Sequence, residues 1–150
     1  WFYLSQPVVV ETAQRFLAGN TQHFDVVLVD LYDSRGPVPA DESFWTRCIE
    51  ALAPGGCLAT NWADFASNKA VRPMAEAQEK VARAQGLGSY FVTRRGFRDN
   101  LIQYLPTGAE RQHEAITGAL ERFAADRRLP DRGRFILEHC LVSTGFPIEG

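Results

Sequence analysis

The sequence predicts an α/β protein whose sheet is built from strands alternating with helices. Three observations carry this. The run His23–Asp30 (HFDVVLVD) is continuously apolar at its centre, which suits a strand covered on both faces, as in parallel sheets. Asp41 stands as an N-cap ahead of Phe44, Trp45, Cys48, Ile49 and Leu52, a stripe that recurs at the helical period. Ala53-Pro54-Gly55-Gly56 then ends that helix, and Cys57–Asn61 follows as a second strand.

The remaining elements follow in chain order. Trp1-Phe2-Tyr3-Leu4 lacks the cationic start of a signal peptide and reads as the end of a helix begun outside this chain. Pro7 leads into a short β-branched strand, Val8–Val10. Thr12 caps a helix over Ala13–Ala18, which stops at Gly19-Asn20. Leu31–Ala40 is a loop holding Gly36-Pro37 and Pro39. The alanine-rich stretch from Asn68 to about Gln85 is helical, tolerates Pro73 near its start and stops at Gly86. Tyr90–Thr93 and Asn100–Leu105 are two strands joined by the charged turn Arg94–Asp99. Composition shifts at Pro106-Thr107-Gly108, which divides a sheet-forming part, 1–105, from a helical extension, 106–150. In the extension, Ala109–Arg127 and Gly133–Leu141 are expected as helices. Ile116, Leu120 and Phe123 share a face of the first, suited to docking on the fold or pairing with a second copy, so a homo-oligomer is expected.

Composition removes several classes of function. A chain of 150 residues is the size of one domain, and its net charge of −2 leaves no basic excess for nucleic acid. The longest apolar runs, Val8–Val10 and Val26–Val29, are far too short to span a membrane. Cys48, Cys57 and Cys140 form neither a disulfide framework nor a metal-ligand spacing, so no metal and a reduced, cytoplasmic setting are expected.

In open α/β sheets ligands gather at the carboxyl ends of the strands, which directs attention to the loops after Val10, Asp30 and Asn61. The loop after the strongest strand reads Asp30-Leu31-Tyr32-Asp33-Ser34-Arg35-Gly36-Pro37. Two aspartates three apart can converge on an ammonium, and one can accept its proton during attack. The same residues also suit a capped strand end and a turn. His23, His113 and His139 have no nucleophile at a telling spacing, Ser34 lacks a nucleophile elbow, and Cys48 and Cys57 read as core.

Strand–Asp30-x-x-Asp33–x-x-Gly36-Pro37, a helix with Phe44-Trp45, and Leu52-Ala53-Pro54-Gly55-Gly56-Cys57-Leu58 together resemble the second half of the spermidine synthase family. That family is the aminopropyltransferase branch of the Rossmann-like class I S-adenosylmethionine-dependent methyltransferase fold. The resemblance covers roughly residues 1–105. It implies a mostly parallel sheet with helices on both faces, with Phe24–Asp30 as its central member. It also implies that two strands, a glycine-rich turn and a ribose-holding acidic residue lie upstream of Trp1, leaving this chain with an incomplete cofactor site.

By resemblance, Asp33 matches the base toward the attacking amine and Asp30 its companion on the amine, with Asp30 also near the nucleoside co-substrate. Gly36 and Pro37 match the loop that closes over the site. Glu11, Thr12 and Ala13 stand where the family carries Gly-Asp-Ala against the adenine. Asn61 and Asp64 stand where it carries the Gln and Glu that line the amine site, and Arg94–Arg98 replaces an aromatic, glycine-rich loop. The activity implied is in-line attack of an amine on the methylene beside a sulfonium. This moves an aminopropyl group from decarboxylated S-adenosylmethionine and releases methylthioadenosine. A methyltransferase using S-adenosylmethionine and a non-catalytic, dimerising domain of the same fold are the alternatives. Activity is expected of the longer protein rather than of this part alone.

Overall fold

A computed structural model describes residues 9–33, 36–63, 69–94, 100–108, 118 and 140–143. The chain is α/β with a mixed sheet. Its elements are α1 (Ala13–Gly19), β1 (Phe24–Val29), β2 (Tyr32–Asp33), β3 (Gly36–Pro37), α2 (Glu42–Glu50), β4 (Leu52–Ala63), α3 (Val71–Ala84), β5 (Tyr90–Arg94), β6 (Asn100–Pro106) and β7 (Cys140–Ser143). The main sheet runs β1-β4-β6-β5-β7, and β2 and β3 form a separate hairpin.

Local chemistry explains the helix ends. The Thr12 hydroxyl accepts from Arg15 N–H at 3.3 Å and starts α1. Asp41 Oδ1 accepts from Phe44 N–H at 2.9 Å and starts α2, and this bond holds the Asp41 carboxyl below its ordinary range. At the end of α3, Gly86 takes φ +69° while Leu87 N–H donates to Ala82 O and Gly86 N–H to Arg83 O. This left-handed cap is one that a side chain would strain.

Helices α1, α2 and α3 pack into one core against one face of the sheet. Ala13 and Leu17 of α1 join Phe44, Trp45, Cys48 and Ile49 of α2 and Val71, Met74, Ala75 and Val81 of α3. They meet Val29, Leu58, Trp62, Leu101, Leu105 and Phe91, which strand alternation and the pairing register place on a common face. Trp45 stands edge-on to both Phe44 and Trp62, and Trp62 Nε1 donates to the buried Gln103 Oε1 at 2.9 Å. Burial pushes the Cys48 thiol up to about 12.

Several expectations are corrected. The sheet is not mostly parallel: among the described residues only β1 and β4 pair in parallel, while β4–β6, β6–β5 and β5–β7 are antiparallel. β6 returns from β5 through a short connection, which forces an antiparallel pair, and it then inserts between β5 and β4. Helices cover one face, not both, among the described residues. β1 lies at the edge of the sheet rather than its centre, and Val26 and Leu28 are 54% and 77% exposed on its other face. Val9 and Val10 are outside any strand, Val10 being 96% exposed. Cys140 and Leu141 belong to a strand paired with β5 rather than to a helix. The Leu31–Ala40 loop holds the β2–β3 hairpin.

The Leu52–Leu58 segment departs from a simple helix end in an instructive way. β4 begins pairing at Leu52 with Phe24, yet Val26 meets Cys57, so extra residues bow out of the ladder between them. Gly55 turns there with φ +84°. Gly56 lies so close to β1 that a Cβ would sit 2.9 Å from the carbonyl oxygens of both Phe24 and Asp25. Thr107 closes the bow by donating its N–H and its hydroxyl to Gly56 O, at 2.9 and 2.7 Å. The glycine pair therefore lets two strands approach, and the parallel register that follows aligns their carboxyl ends.

Candidate functional site

Parallel pairing of β1 with β4 carries Asp30 and Asn61 to the same end of the sheet. Val29 pairs with Thr60, so the next residue of each strand emerges alongside the other. Asn61 Nδ2 donates to Asp30 Oδ1 at 3.3 Å. The amide is oriented by that contact, because its oxygen would face a carboxylate if it were reversed. Asn61 Oδ1 is consequently turned away from Asp30, enclosed, and without a partner among the described residues. The same is true of Trp45 Nε1, Thr60 Oγ1 and the Gln78 amide, so the unpaired oxygen does not by itself mark a ligand contact.

Asp33 reaches the same end by another route. Chain leaving β1 turns into the β2–β3 hairpin, in which Tyr32 pairs with Pro37 and Asp33 with Gly36. Gly36 adopts φ +121°, a conformation that a side chain would strain. Val38 N–H donates to Leu31 O at 2.9 Å across the base of the hairpin. Tyr32 Oη donates to Ala63 O at 2.7 Å, which ties the hairpin to the last residue of β4. Asp30 and Asp33 are both exposed, and Gly36 and Pro37 are half-buried beside them in sequence. The strand end and the hairpin tied to it carry two exposed carboxylates, Asp30 and Asp33. Their chemistry favours a ligand that brings N–H donors and positive charge.

Not every expected residue joins this group. Thr12 caps α1, Glu11 pairs with Arg15 at 3.6 Å, and Ala13 packs on the core, so all three have local structural employment. Asp64 lies outside the described residues, as do Ser34, Arg35, the turn 95–99, the N-terminal residues 1–8 and the extension apart from 106–108, 118 and 140–143. His23 is exposed. Among the described residues no group of His, Cys, Asp and Glu is arranged to hold a metal ion, and no helix is long and apolar enough to cross a membrane.

In comparisons with known proteins, no family model and no curated protein matches the chain. The site's own chemistry therefore carries the functional reading. An open cleft of about 330 Å³ lies elsewhere, between α1, α2 and α3, and is lined by Gln14, Asp41, Ser43, Arg47 and Met74. It holds none of the expected residues, and its carboxylate is already committed to capping α2. Sequence reading passed over Tyr32, whose partner is a backbone carbonyl 31 residues away and leaves no mark in composition. It likewise passed over Gln103, whose partner Trp62 is 41 residues away.

Proposed function

We propose that this chain is part of a spermidine synthase-like transferase of the Rossmann-like class I fold, moving an aminopropyl group from decarboxylated S-adenosylmethionine to an amine. One observation supports the reading: Asn61 donates to Asp30 at the carboxyl ends of two parallel strands, and the hairpin that carries Asp33 is tied to the same strand end through Tyr32 and Ala63. A pair of carboxylates suits an acceptor that arrives as an ammonium, and it is the resemblance to the spermidine synthase family that makes the transferred group aminopropyl rather than methyl. The single parallel pair and the apolar outer face of β1 agree with a larger doubly wound sheet.

The role of the carboxylates follows from elementary acid–base chemistry. An alkylamine has a pKa near ~10 and is mostly protonated at neutral pH. A nearby carboxylate favours that charged form, so Asp33 does not act by making free amine more abundant. The neutral amine attacks: its lone pair forms the N–C bond as the S–C electron pair returns to sulfur, and Asp33 takes the proton from the ammonium that develops on the attacking nitrogen. Asp30, steadied by Asn61, anchors the charge. The small-molecule partner on this reading is an amine, with a nucleoside sulfonium as co-substrate and no metal.

The test is turnover by the intact protein. It should release methylthioadenosine from decarboxylated S-adenosylmethionine in the presence of di- or monoamines, followed by chromatography. Methylated product from S-adenosylmethionine, with no aminopropyl transfer, would replace this reading by the methyltransferase one. Absence of both reactions would leave the non-catalytic domain.

A further inference from the structure

The hairpin that carries Asp33 is too small to hold its own position. Two residue pairs, Tyr32 with Pro37 and Asp33 with Gly36, make up its ladder, and ribbons of that size are marginal in water. The Val38–Leu31 bond closes its base but lies within the loop itself. Tyr32 Oη to Ala63 O, at 2.7 Å, instead crosses to the main sheet. Ala63 is the last residue of β4, two positions beyond Asn61. Both carboxylates are thus referred to one strand end, Asp30 through the Asn61 side chain and Asp33 through the Tyr32 hydroxyl.

We propose that Tyr32 is a positioning residue: its hydroxyl latches the β2–β3 hairpin onto β4 and so fixes where Asp33 stands relative to Asp30 and Asn61. The proposal rests on reading this loop as the amine site. A general base works only within hydrogen-bond reach of the proton it takes, and a displacement of about 1 Å can cost on the order of 10²-fold in rate. Asp33 itself follows directly after Tyr32, so the latch acts one residue from the group it positions. The half-buried ring supplies packing and the Oη–H supplies registration, which makes the two contributions separable by one atom.

Tyr32→Phe in the intact protein separates them. Net loss of one such bond shifts a local opening equilibrium by about two- to twelvefold. Amide exchange in peptides spanning 31–38 should quicken by that factor, while α2, α3 and β6 keep their protection. Turnover with an amine acceptor should fall by about tenfold, with the affinity for methylthioadenosine and the melting temperature unchanged. Wild-type exchange and turnover in Tyr32→Phe would overturn the latch. Faster exchange throughout the molecule with a lowered melting temperature would also overturn it, by making Tyr32 a general packing residue. If the wild-type protein transfers nothing to any amine, the amine-transfer reading fails and takes the positioning role with it. Failure of the latch alone leaves wild-type transfer intact, so the two are told apart.

Discussion

Gly56→Ala tests the contact that aligns the two site-bearing strands. A Cβ at this position would lie 2.9 Å from Asp25 O, 2.9 Å from Phe24 O and 3.0 Å from Ala53 O. All three are backbone oxygens and cannot swing aside as a side-chain tip would, so β1 must move off β4. Overpacking of this kind costs about 1–3 kcal/mol, and three simultaneous backbone contacts place Gly56→Ala near the upper value. For a domain of this size each kcal/mol lowers the melting temperature by about 2–4 °C, giving a drop of about 6–12 °C. Two neighbouring substitutions calibrate the result. Gly55→Ala meets no atom within 4 Å but keeps φ +84°, so it should cost only the left-handed penalty of about 1–2 kcal/mol. Gly19→Ala, at the end of α1 with open space and no positive φ, should be neutral or stabilising by about 0.5 kcal/mol. Urea and thermal unfolding of the three variants give the ranking. Gly56→Ala as stable as Gly19→Ala would mean that β1 does not lie against Gly56, and the alignment of Asp30 with Asn61 would fall with it.

Three further outcomes are expected. Asp33→Asn should lower turnover with an amine by about 10²–10⁴ while leaving nucleoside binding intact, and Asp30→Asn should mainly raise the amine KM; equal effects in steady-state kinetics would remove their separate roles. Asp41→Asn keeps an oxygen that accepts from Phe44 N–H but removes the negative charge at the N-terminus of α2, so it should slightly lower stability near neutral pH. Because the folded-state pKa of Asp41 is depressed, its contribution is complete above the ordinary aspartate value and is lost as pH falls through the lower folded value. Wild-type and Asp41→Asn melting curves should therefore converge in acid, and a gap that widens there would contradict the sign. Cys48, with its thiol pushed up to about 12, should resist iodoacetamide in the folded protein and react on unfolding, whereas the half-buried Cys57 reacts first, as read by peptide mass spectrometry.

What the sequence revealed and what it concealed divide along a physical line. Asp41 and Thr12 cap the helices they precede because capping is a contact between near neighbours. Phe44, Trp45, Cys48 and Ile49 are buried together because helical periodicity is also local. The meeting of Asp30 with Asn61 was legible at one remove, since two strands in parallel bring their carboxyl ends together whatever their neighbours. Order across the sheet was not legible, because it depends on pairings between distant segments that leave no periodic trace. Ala53-Pro54-Gly55-Gly56 reads as the end of a helix for a related reason: proline and glycine mark irregular backbone but do not say that a strand already begins at Leu52 and bows around them.

β1 shows what such a pattern does report. Continuous apolar character in Val26-Val27-Leu28-Val29 records how much burial the segment can use, on either face, without naming the element that provides it. Val27 and Val29 face the helices, while Val26 and Leu28 face outward on a strand with one paired edge among the described residues. A long apolar edge strand is a template for further pairing, and natural sheets usually blunt such an edge with charge, proline or a bulge. Here Asp25 and Asp30 bracket the run, but its centre carries no charge at all. Within the chain described, Val26 and Leu28 are exposed, so an added charge on this face of β1 should not disturb the helix-side core. Leu28→Lys should leave the helix-side packing of Phe44, Trp45 and Trp62 unchanged, with unaltered near-ultraviolet circular dichroism. A collapse of that signal would mean Leu28 is turned inward, shifting the register of β1 by one residue and moving Asp30 to the opposite face from Asn61.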